Sequence, residues 1–65
     1  MSIIIKHQEE KLTSLRGQKT YVEDALTHDL ENWERKEYQA TLNTINDDIT
    51  ATSSAINQAK EMAAA

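Results

Sequence analysis

Apolar side chains along this 65-residue chain recur at helical spacing, most clearly in its second half. Tyr38, Leu42, Ile45, Ile49, Thr52, Ile56, Ala59 and Ala63 follow one another at alternating intervals of four and three residues, which sets them in a seam down one side of a helix. A second run, Leu12, Leu15, Val22, Leu26, Leu30 and Trp33, keeps to one projected face at about 100° per residue. Wound at that pitch, the two faces differ by about 120°. One straight helix cannot direct both at a single neighbour, so the chain either turns between them or runs as one long helix with two neighbours.

The stretch Thr27-His28-Asp29-Leu30-Glu31-Asn32 supplies the turn. Thr27 or Asp29 can accept from the orphan N–H groups of a new helix, and Glu31 and Glu34 suit its N-terminus. The pattern therefore predicts an all-α fold: a single helical domain over residues 1–65, with helix 1 near 6–28, a turn near 27–31 and helix 2 near 30–62.

Two local features modify this outline. Ile3, Ile4 and Ile5 stand in succession, and three β-branched residues suit a pleated strand, so residues 2–5 read as a short strand or extended arm. Such a strand needs a partner edge, most simply the same segment of a second subunit; the alternative is a helical first turn with Ser2 as N-cap. Gly17 is the only glycine. Thr20 to Glu23 has the spacing of a capping box that would restart a helix after it, but Leu12 and Leu15 stay in phase with Val22 and Leu26 across it. The reading is a continuous helix in which Gly17 admits the close approach of another backbone.

In helix 2, Ala51, Ala55, Ala59 and Ala63 recur every four residues, a small-residue ridge that lets a partner helix come near. The residues beside it, among them Asn43, Thr44, Thr50, Ser53 and Asn57, are mediocre helix formers. Packing must hold such a helix.

Composition adds a reason to expect more than one copy. The apolar set is six Ile, five Leu, one Val, one Trp, two Tyr, two Met and eight Ala, with no Phe. Chains this small need a disulfide, a metal or a partner subunit to supplement the core. With no cysteine, thiol catalysis and Cys-ligated zinc are excluded, and oligomerisation is the supplement that remains. The expected assembly is a homodimer with a four-helix arrangement. In size and outline the chain resembles the small dimeric helical hairpins typified by the plasmid copy-number regulator Rop; the resemblance is architectural and carries over no functional residue.

The net charge of −4 is unevenly placed: residues 1–20 hold four basic against two acidic side chains, residues 21–65 three against nine. An acidic total opposes nonspecific attraction to nucleic acid or anionic lipid. No apolar run approaches the roughly 20 residues of a membrane span, and Met1 to Ile5 is too short for a secretory core. A cytoplasmic location is expected, with no membrane partner.

Candidate chemistry is sparse. Asp24, His28 and Glu31 have the i, i+4, i+7 spacing of a metal site, but the turn begins within them, and they read as a surface histidine among acids. Glu9-Glu10, Glu23-Asp24 and Asp47-Asp48 are adjacent pairs that diverge on a helix and read as solvated faces. No phosphate loop, nucleophile elbow or zinc motif occurs, so neither catalytic residue nor cofactor is expected. Lys6, Lys11, Arg16 and Lys19 scatter around helix 1 rather than forming a stripe, with only Tyr21 near for stacking.

The reading is a non-enzymatic protein-interaction module: an adaptor, regulator or assembly factor, of a size that suits a phage- or plasmid-type accessory protein, with a protein client. Its interaction seam comprises Tyr38, Leu42, Ile45, Ile49, Ile56, Ala55 and Ala59 on helix 2 with Leu12, Leu15, Val22, Leu26, Leu30 and Trp33. The alternatives are a nucleic-acid-binding hairpin that uses the basic residues of helix 1, and a secretion or assembly co-chaperone.

Overall fold

A computed structural model describes residues 3–64 as two α-helices, α1 (Ile3–Ala25) and α2 (Asn32–Ala64), packed against each other. Their direction is antiparallel. The Arg35 guanidinium, one turn into α2, donates to the Leu26 carbonyl just past the end of α1 at 3.0 Å. At the far end the Lys60 ammonium lies 3.5 Å from the Glu9 carboxylate. The hairpin measures 51 × 14 × 12 Å, so its length is that of α2 alone, whose 33 residues span about 50 Å at 1.5 Å each.

Ile3, Ile4 and Ile5 open α1, which corrects the strand or arm read at residues 2–5; Ser2 lies outside the described residues. An Ile in a helix costs about half a kcal/mol relative to Ala. Burying Ile5, only 8% exposed, returns about 2 kcal/mol, and a lone strand would have no edge to pair with.

The expectation of an unbroken helix through Gly17 holds. Within the hairpin no backbone comes close to it: a Cβ built at Gly17 meets nothing within 4 Å, because Gly17 lies two positions from both Leu15 and Lys19 and so on the outer side of α1. The Thr20 hydroxyl donates to the Arg16 carbonyl at 3.0 Å within the same helix, so it starts no new one.

The turn is built differently from its sequence reading. The Leu26 amide still donates to the Val22 carbonyl, but the Thr27 and His28 amides reach back only three residues, to Asp24 and Ala25 at 3.0 and 3.1 Å, which tightens the end of α1. The Thr27 hydroxyl also donates to the Asp24 carbonyl at 2.7 Å. Thr27 therefore closes α1 rather than opening α2, and α1 ends at Ala25 instead of running to 28. Nor does Asp29 open α2. Its N-cap is Glu31, whose carbonyl accepts from the Arg35 amide at 3.0 Å. The Glu31 amide donates to Glu34 Oε1 at 3.1 Å, the reciprocal half of a capping box.

Between the helices run two matching seams. On α1 it passes through Ile5, Gln8, Leu12, Leu15, Lys19, Val22 and on to Leu26; on α2 through Tyr38, Leu42, Ile45, Ile49, Thr52, Ile56 and Ala59. Every one of these is buried or half-buried, and both follow the three-four alternation of left-handed helix pairs. The most enclosed are Val22, Thr52, Ile45 and Ile56, all at or below 5% exposure.

Candidate functional site

The residues expected to form an interaction seam divide in the structure. Leu15, Val22, Ile45 and Ile56 are buried between the helices; Leu12, Leu26, Leu30, Tyr38, Leu42, Ile49, Ala55 and Ala59 are half-buried; Trp33 is exposed. The alanine ridge divides too, with Ala51 and Ala63 exposed and Ala55 and Ala59 half-covered. A row spaced by four residues drifts about 40° per step around a helix of 3.6 residues per turn, so it crosses from the outer surface towards the seam. The α1 seam also takes in Gln8 and Lys19, which hydropathy alone passed over. Long side chains cover apolar neighbours with their stems while their heads stay wet.

The hairpin's two flanks differ in chemistry. On antiparallel helices the positions just after a seam residue meet on one flank, and those just before it meet on the other. Glu9 follows Gln8 and Lys60 follows Ala59, and their ion pair at 3.5 Å marks the first flank. None of the side chains that follow a seam residue there is apolar: Lys6, Glu9, Thr13, Arg16, Thr20 and Glu23 on α1, and Gln39, Asn43, Asn46, Thr50, Ser53, Asn57 and Lys60 on α2. Gln39 and Asn43 hydrogen-bond to each other along it at 3.2 Å.

The opposite flank carries Tyr21 and Met62, 70% and 80% exposed, with Ala25, Ala51 and Ala55. Near the turn it opens into a shallow concavity of about 340 Å³ lined by Trp33, Glu34, Glu37, Tyr38 and Thr41. Hydropathy does not single out Tyr21 and Met62 as site residues, since each breaks the main stripe; the signal that finds them is their place one residue before Val22 of the seam and before Ala63, which continues the spacing of the α2 seam although it is exposed.

The turn holds the remaining candidates. His28 Nε2 lies 3.5 Å from an Asp24 carboxylate oxygen, with both side chains mostly exposed. Among the described residues no three His, Asp or Glu side chains converge to hold a metal ion. The four basic residues of α1 do not converge either: Lys6 and Arg16 stand on the Glu9 flank, Lys11 on the Tyr21 flank, and Lys19 is in the seam. No described helix is long and apolar enough to cross a membrane.

Fold and seam together define an antiparallel two-helix hairpin with coiled-coil spacing. Comparison with protein-family models, with characterised proteins and with solved structures gives no match.

Proposed function

We propose that the protein is a non-enzymatic interaction module, a homodimer of hairpins that engages a protein client through apolar surface the hairpin leaves open. One observation carries this reading: the seam closes none of the described side chains completely from solvent, while Tyr21, Trp33 and Met62 stay more than half exposed. Size supports it. A compact monomer of 7.4 kDa exposes about 4200 Å², against 5067 Å² here. The excess of roughly 850 Å² is close to the ~800 Å² that each partner gives to a standard interface. The radius of gyration, 15.1 Å, likewise exceeds the ~11 Å of a compact 65-residue domain.

A module of this kind serves as an adaptor, regulator or assembly factor, because a rigid pair of helices presents fixed surfaces and asks no chemistry of them. The test is the molar mass in solution together with thermal melts over a range of concentrations. A dimer whose melting temperature rises with concentration is expected; a monomer with a cooperative, concentration-independent melt would overturn the reading.

A further inference from the structure

We infer that the second copy docks on the flank bearing Tyr21, Ala51 and Met62, with the two-fold axis running along the hairpin so that α1 of each copy lies over α2 of the other. This rests on the homodimer reading above and adds to it the surface and the symmetry. The exposed Tyr21 and Met62 and the exposed Ala51 stand on this flank, whereas the Glu9–Lys60 flank has no apolar side chain following its seam. A second hairpin laid on the first flank removes this apolar surface from water along with some charged and amide groups, whereas on the other it would cover polar side chains alone.

Charge selects the axis. At the positions preceding the seam, α1 carries His7 and Lys11 and no acid, while α2 carries Glu37 and Asp48 and no base. A lengthwise two-fold keeps each residue at its own height along the hairpin, where Glu9 is level with Lys60, so Asp48 of one copy lies opposite Gln18 and Tyr21 of the other and meets no like charge in either half of an isologous interface. A two-fold axis perpendicular to the hairpin would instead stack α2 on α2. Asp48 is the midpoint of Asn32–Ala64, so that arrangement brings two copies of the same carboxylate together.

The experiment is sedimentation equilibrium on the full chain carrying Ala51→Glu or Asn57→Glu, with helical content followed by circular dichroism. Both positions are exposed, and Glu is a good helix former, so both variants keep the helical hairpin. Ala51→Glu is expected to raise the dimer dissociation constant by at least about tenfold, some 1.4 kcal/mol, with Asn57→Glu close to wild type. Loss of the dimer with Asn57→Glu alone, or with neither, overturns the flank assignment while the dimer stands; a monomeric wild type removes the dimer itself. Because the chain has no cysteine, a spin label on Glu61→Cys then reads the axis. An inter-copy distance within about 25 Å supports the lengthwise axis; about 40 Å, twice thirteen residues of rise from the midpoint of α2, overturns it.

Discussion

Arg35 ties the two helices together at the turn: its guanidinium donates to the carbonyl of Leu26 at 3.0 Å and, through its second nitrogen, to that of His28 at 3.3 Å. The carbonyls at a helix C-terminus lack intrahelical partners and carry partial negative charge, so a cation from the next helix suits them. Its neighbour Glu34 serves the same junction from the other side by accepting from the Glu31 amide.

Replacing Arg35 with Ala is therefore expected to lower stability by about 1 kcal/mol, below the roughly 1.5–3 kcal/mol of hydrogen bonds to charged groups because the site is exposed. Arg35→Lys should recover only part of this, since an ammonium lacks the planar fork that spans two carbonyls. Urea unfolding checks it. Equal stability of the wild type and Arg35→Ala would mean that the turn is held without this contact.

Gly17→Ala is expected to stabilise the hairpin by about 0.5–1 kcal/mol, because the helix gains a better former and the added Cβ has open space. Thermal melts at low and high protein concentration decide what lies there. A destabilisation that grows with concentration would show a second copy against the outer side of α1.

Along the seam, Ile45→Ala and Ile56→Ala remove buried side chains and should each cost about 2–5 kcal/mol. Ile49→Ala should cost less, as Ile49 is half-buried, and Thr50→Ala, on the exposed polar flank, should be near neutral or slightly stabilising. A chemical-denaturation series that ranks Thr50 with Ile45 would place the seam wrongly.

The alanine ridge gives a paired test. Ala59 is half-buried on the seam beside Lys60, while Ala51 is exposed. Ala59→Leu should push the helices apart and cost about 1–3 kcal/mol, whereas Ala51→Leu in the isolated hairpin should be tolerated, since Leu is nearly as good a helix former as Ala. Equal effects in the dilute protein would mean that the ridge does not cross from outside to inside.

Periodicity by itself determined that this is a helical protein: a three-four alternation sustained from Tyr38 to Ala59 suits only a helix packed along one side, and the change of phase after Trp33 leaves either a turn or one long helix with two neighbours, a choice that the packing of α1 on α2 decides. Local chemistry stops short of the contacts made between elements. Ile3 to Ile5 look like a strand until burial of Ile5 against α2 outweighs their β preference. Thr27 and Asp29 are good caps in isolation, yet the cap is Glu31, because tight turns back to Asp24 and Ala25 use up Thr27 and move the start of α2. The Arg35 contact joins residues nine apart in sequence across that turn, so no local pattern announces it. Likewise Gln8 and Lys19 enter the seam only because α2 lies over them, and the unlike flanks exist only once two helices run antiparallel. Tertiary structure decided these points because each depends on which surface a neighbouring helix covers, a free energy that single-helix spacing does not contain.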